Sequence, residues 1–123
     1  MVPTIEEVKT RLTTLGYEAT EADDAFITFA IGKTEERIKA FTGLSDVPEG
    51  LKYEFIDEVA SGIIQSKMAT GGVDIDKVVK SIQEGDTTVS FDGSSSKTVW
   101  LTNYLNGMMI SLTVLCRYRV FVW

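Results

Sequence analysis

The sequence predicts a mainly α-helical domain, a small bundle of about four helices with one short β-hairpin between the third helix and the last. Three observations carry this. Apolar residues recur at three- and four-residue spacing through successive segments, and those segments close on Gly16, Gly43 and Gly71. From Val78 onward, β-branched residues gather on either side of Glu84-Gly85-Asp86.

Thr4 and Glu7 form a Thr-x-x-Glu capping box, and Ile5, Val8, Leu12 and Leu15 follow on one helical face until Gly16. Tyr17–Thr20 is a connector. Glu21, Asp23 and Asp24 then stand where a helix N-terminus favours negative charge. The stripe of this second helix is Ile27, Ala30, Ile31, Thr34, Ile38 and Phe41, with Glu35, Glu36, Arg37 and Lys39 outward and Gly43 as the stop. Ser45–Val47 is a loop, and Pro48 suits the first turn of a third helix. Its stripe is broad, with Leu51, Phe55, Ile56, Val59, Ala60, Ile63 and Ile64, as expected of the central helix; Gly71-Gly72 ends it.

Beyond this point the expected period shifts towards two. A two-residue turn at Gly85-Asp86 sets Glu84 opposite Thr87, Ile82 opposite Val89 and Ser81 opposite Ser90, with the ribbon spanning residues 78–91. After the Gly93–Ser96 loop a last helix is expected from about Thr98. It places Leu101, Tyr104, Leu105, Met108, Leu112 and Leu115 on one side, with Gly107 as a bend. The arm Arg117–Trp123 is rich in β-formers and fits a strand, an extended arm or a disordered tail.

The chain has 123 residues and reads as one domain, residues 1–123. Its net charge of -6 is uneven: residues 1–60 hold 13 acids and 6 bases, residues 61–123 hold 5 and 6. An acidic chain whose only basic cluster is Arg117 and Arg119 is poorly suited to neutralising phosphates. No membrane anchor is expected, because Met108–Cys116 falls far short of the ~20 residues a span requires. The opening Met1-Val2-Pro3-Thr4 lacks the basic and apolar regions of a signal peptide, so secretion by that route is not expected.

With no histidine and a single cysteine, Cys116, the sequence holds no Ser-His-Asp triad, Cys-His dyad, Cys/His zinc site or internal disulfide. Cys116, beside an apolar run, reads as a small core residue. The acid pairs Glu6-Glu7, Asp23-Asp24 and Asp57-Glu58 diverge by about 100° around their helices and read as helix-end or solvated-face residues. Asp74-x-Asp76 lacks the glycine and bidentate glutamate of a calcium loop, since Val79 and Gly85 stand there. Neither an enzyme nor a cofactor is expected.

Two segments remain as contact candidates. A two-stranded ribbon is marginal alone and needs a surface, either its own helices or a neighbouring subunit. Its candidate interface residues are Lys80, Ile82, Glu84, Asp86, Thr88 and Ser90. On the arm they are Arg117, Tyr118, Arg119, Phe121 and Trp123, of types enriched at protein interfaces; the arm equally fits against its own core.

These residues resemble a family. The capped opening helix closing in Leu15-Gly16-Tyr17, the run Ile38–Gly43 leading to Val47-Pro48-Glu49-Gly50-Leu51, the block Val79–Phe91, and Leu101, Tyr104 and Leu105 followed by Arg117-Tyr118-Arg119 are similar to the head-tail connector proteins of long-tailed bacteriophages, also called adaptor or head-completion proteins. The apolar end Val120-Phe121-Val122-Trp123 departs from the more polar, arginine-rich ends of that family. The resemblance implies a structural subunit at the head-tail junction of a virion, assembled in the host cytoplasm. It would form a ring with copies of itself under the portal protein and dock the tail or a tail-side connector or stopper protein. DNA would pass through the lumen without specific binding. A small non-enzymatic regulatory module that binds another protein is the alternative; a hydrolase would require acids from different helices to converge in one pocket.

Overall fold

The computed structural model describes residues 1–85 and 97–119. Helix α1 (Ile5–Thr14) opens on the capping box: Thr4 Oγ1 accepts from the Glu7 backbone N–H at 3.2 Å, and Glu7 Oε1 accepts from the Thr4 N–H at 3.0 Å. It closes at Gly16, whose φ of 92° is left-handed. A Cβ there would also stand 2.7 Å from Ser81 Oγ and 3.1 Å from the Lys77 carbonyl. Gly16 therefore both ends α1 and lets a later helix approach it.

A 3₁₀ turn (Glu21–Asp23) leads into α2 (Asp24–Thr42), and a second (Glu49–Leu51) leads into α3 (Lys52–Thr70). Both long helices end on left-handed glycines, Gly43 at φ 76° and Gly71 at 75°. The expected α2 stripe is the buried one, with Ile27, Ile31, Thr34 and Ile38 inside. In α3 the buried set is Phe55, Ile56, Glu58, Val59, Ala60, Ser61, Ile63 and Ile64, more than one face of a helix. The reason is placement: α3 contacts α1, α2 and a later helix, so apolar side chains pointing several ways all find partners. Arg37 pairs with Glu58 near the connected ends of α2 and α3, while Phe26 and Ser66 line one cleft farther along, so the two helices run antiparallel.

The chain then departs from expectation. Residues 75–85 form a helix, α4 (Ile75–Gly85), and no strand occurs among the described residues. Asp74 caps it, its Oδ1 accepting from the Lys77 N–H at 3.2 Å. Val78, Val79 and Ile82, spaced by one and three residues, are all buried in the common core. The first half of the expected hairpin is thus a helix lying against α1. Its second half, with Asp86, Thr88 and Ser90, lies outside the described residues.

The expected last helix is two. Helix α5 (Lys97–Asn106) breaks at Gly107, and α6 (Leu112–Cys116) restarts after Ser111, whose Oγ accepts from the Val114 N–H at 3.2 Å. The stripe expected across both does not survive the break: Leu101, Leu105 and Leu115 are buried, but Leu112 is 61% exposed. Cys116, expected in the core, is exposed for the same reason. The described residues form six helices rather than about four, around a core to which all six contribute. No described helix is long and apolar enough to cross a membrane.

Ion pairs tie the helices at their rims. Asp23, buried at the start of α2, accepts from Tyr17 Oη at 2.8 Å and from the Thr20 N–H at 3.1 Å, and lies 2.9 Å from Lys67 Nζ on α3. Burial alone would raise the Asp23 pKa, but the bonds from Lys67, Thr20 and Tyr17 outweigh it and hold the carboxyl below its ordinary 3.8. Glu7 is likewise lowered, first by its hydrogen bond from Lys52. Lys67 and Lys52 are raised above 10.5, chiefly by the same bonds.

The sign of the pH dependence follows. A lowered carboxyl contributes stability that is complete above its unfolded pKa and is lost as pH falls through the folded value; a raised lysine contributes below its unfolded pKa and loses that contribution at higher pH. The urea midpoint is therefore expected to be level from about pH 5 to about pH 9 and to fall below about pH 4. Asp23→Asn should flatten the acid limb; an unchanged acid limb in that variant would remove Asp23 as its source.

Candidate functional site

A cleft of about 410 Å³ lies between α2 and α3. Sequence makes it in two steps. On α2, Phe26 and Phe29 flank buried Ile27 and half-buried Ala30 and so point to the side of the core stripe, leaving Phe29 68% exposed and Phe26 38% exposed. On α3, Gly62 and Ser66 supply little bulk opposite them. A Cβ built at Gly62 would meet nothing within 4 Å. A mid-helix glycine costs roughly 1 kcal/mol relative to alanine, and none of the described residues fills the space it leaves.

One end of the cleft is closed by a polar lock. Glu58, 4% exposed, accepts from Arg37 Nη2 and, at 2.9 Å, from the backbone N–H of Ile110 in the turn between α5 and α6. Ser61, fully buried, donates to the Leu105 carbonyl at 2.7 Å. These two α3 side chains fasten the α5–α6 turn and bring Met109 over the cleft beside Arg37. Lys33 and Arg37 thus place two cations along apolar walls. The sequence reading of Asp57-Glu58 as a solvated or helix-end pair is wrong for Glu58, because its helical position faces the α5–α6 turn rather than water.

A second, shallower concavity of about 500 Å³ lies between α1 and α3, lined by Glu7, Arg11, Tyr53, Ile56 and Asp57. Arg11 Nε donates to Asp57 Oδ1 there at 2.7 Å, and Tyr53 is 77% exposed. In both clefts the acids are held by bases at close range. That geometry suits docking against another surface better than proton transfer.

The expected contact residues fall into three groups. Lys80 and Glu84 are exposed on α4, 4.0 Å apart, whereas Ile82 is buried among the chain's own helices. Ile82 therefore cannot serve as an interface residue, and the ribbon face expected to gather Lys80, Ile82 and Glu84 does not exist on a helix. Asp86, Thr88, Ser90, Phe121 and Trp123 lie outside the described residues. The start of the arm is no strand: Arg117, Tyr118 and Arg119 continue from α6 in tight turns, with backbone bonds back to Val114, Leu115 and Cys116. Arg117 is exposed. Half-buried Tyr118 sets its hydroxyl against Gly50, where a Cβ would stand 2.7 Å from it. The Arg119 guanidinium lies over the Phe41 ring, 5.1 Å from its centroid.

The sequence reading missed Phe26, Phe29, Gly62 and Met109 as site residues. Their signal was present but faint: two aromatics beside a core stripe rather than in it, and a glycine inside a helix with no turn to make. Compared with protein-family models, curated proteins and solved structures, the chain finds no match.

Proposed function

We propose that this chain is a structural subunit of a phage head-tail connector, forming a ring under the portal and docking the tail or the next connector protein. The observation that carries the reading is the sequence resemblance over nearly the whole chain, from Leu15-Gly16-Tyr17 to Arg117-Tyr118-Arg119. A mainly helical fold is compatible with it. Helix α4 packs on its own domain through Val78, Val79 and Ile82, which favours the arm that starts at Arg117 over α4 as the assembly contact. A helical body with exposed Phe29, Tyr53 and Leu112 offers the apolar anchors that intersubunit contacts use. The acidic first half would let DNA pass a lumen without adhering to it.

The test is removal of residues 117–123 from the full chain in an assembling phage system. Heads and tails are expected to accumulate unjoined, while the circular dichroism of the purified variant keeps its helical signal. Normal virions from the truncated gene would refute the assignment. A regulatory protein-binding module is the second reading, favoured by the α2–α3 cleft, whose size and apolar walls also suit a partner's segment. It predicts a monomer or dimer without affinity for portal rings, which light scattering and electron microscopy distinguish.

A further inference from the structure

We propose that the outer face of α2 joins two copies of this chain in a two-fold dimer, with the two α2 helices packed antiparallel. This contact is separate from the connector reading above and does not rest on it.

Position supplies the first argument. Phe29, Lys33, Glu36 and Ala40 recur at spacings of four, three and four, so they share one helical face, turned away from the buried stripe Ile27, Ile31, Thr34, Ile38 and Thr42. All four are exposed. The buried stripe meets α1, α3 and α6, and Phe29 and Lys33 stand where the exposed face reaches the rim of the α2–α3 cleft. The stretch from Phe29 to Ala40 is about 16 Å long, three turns, which is enough for the side-chain ridges of two helices to interlock.

Charge supplies the second. In this half of α2, Arg37 is paired with Glu58 and Lys39 with Glu35. Lys33 and Glu36 have no ion partner among the described residues, and they carry opposite charges on the one face that is open to a partner. A surface that presents a lysine and a glutamate side by side is complementary to itself when turned end for end.

Order along the helix is the third argument. The spacing four, three, four reads the same backwards, so a two-fold axis between residues 34 and 35 sets Lys33 opposite the partner's Glu36 and Phe29 opposite the partner's Ala40, each of them twice. Two ion pairs then close the centre, and on either side an aromatic ring meets a methyl group that leaves room for it. A parallel pairing in register would set lysine against lysine and glutamate against glutamate, so the charges select the antiparallel one. The same patch is used on both copies; the contact is isologous and closes at two.

Sedimentation equilibrium of the full-length chain and four variants tests this. The wild type is expected to pass from monomer to dimer with rising concentration. Phe29→Asp should raise the dissociation constant about a hundredfold. Lys33→Glu and Glu36→Lys should each raise it about tenfold, because each sets like charges face to face twice. The double variant Lys33→Glu/Glu36→Lys restores both pairs with their signs exchanged and should return to within about threefold of the wild type. The three positions are exposed, so in dilute solution every variant should keep the helical circular dichroism and the melting temperature of the wild type. A wild type that stays monomeric at millimolar concentration, a Phe29→Asp chain that dimerises as tightly as the wild type, or a double variant weaker than both single ones would each overturn the proposal. A monomeric wild type that binds a portal ring would remove this contact and leave the connector reading standing, whereas a dimer of the expected behaviour without affinity for portal rings would do the reverse.

Discussion

Phe55→Ala is expected to lower the unfolding free energy by about 4 kcal/mol and the melting temperature by roughly 15 °C. Phe55 is fully buried, sits near the start of α3, and belongs to the core cluster that every described helix enters. Removing its ring costs the transfer free energy of that apolar area and leaves a cavity, because helices fixed on three sides of α3 can close in only partly. Set against a total of about 5–15 kcal/mol for a domain, the loss is a large share. Tyr53, two residues earlier and 77% exposed, provides the control: Tyr53→Ala should change stability by no more than about 0.5 kcal/mol. Urea unfolding of both variants checks the pair. A Phe55→Ala loss below about 1.5 kcal/mol would mean that α3 is not the centre of the core.

Arg37→Met is expected to cost about 3 kcal/mol, well above Glu58→Gln at about 1 kcal/mol. The asymmetry comes from which partner is buried. The Arg37 side chain is 41% exposed and can turn to water when its partner is neutralised, whereas Glu58 is 4% exposed and cannot. Without Arg37, the carboxylate keeps the Ile110 N–H but loses its counter-charge in a confined place. In Glu58→Gln the side-chain oxygen still accepts from Ile110, so the α5–α6 turn stays fastened. Equal small losses below about 0.5 kcal/mol in both variants would show that the pair behaves as a surface bridge. The same lock sets the near wall of the cleft, so Arg37→Met should also loosen Met109, readable as faster amide exchange at Ile110.

The first 72 residues were legible because their signals are local. A capping box, the apolar stripes at helical spacing and the stops at Gly16, Gly43 and Gly71 are each contained within a few turns of chain, and the structure bears them out. The expected candidate contacts were less legible. Val78, Val79 and Ile82 are strong β-formers, and reading them beside Thr87–Val89 produced a ribbon. Strand preference is worth about 1 kcal/mol across its whole range. Burying each of these side chains against α1 and α5 is worth about 1.5–3 kcal/mol, and Ile75, Val78, Val79 and Ile82 also share a helical face, so packing decided for a helix.

What the sequence determined by itself is therefore the helical class, the stops of α1, α2 and α3 at Gly16, Gly43 and Gly71, and a net charge of -6 concentrated in the first 60 residues. Tertiary structure alone decided that Ile82 is core and not contact, that the bend at Gly107 turns Leu112 out of the core, that Glu58 is buried under the α5–α6 turn, and that Phe26, Phe29 and Gly62 line one cleft. The physical reason is range: caps and stripes are settled by neighbours within about four residues, whereas burial and the shape of a cleft depend on which distant helix arrives opposite, and no local pattern encodes that.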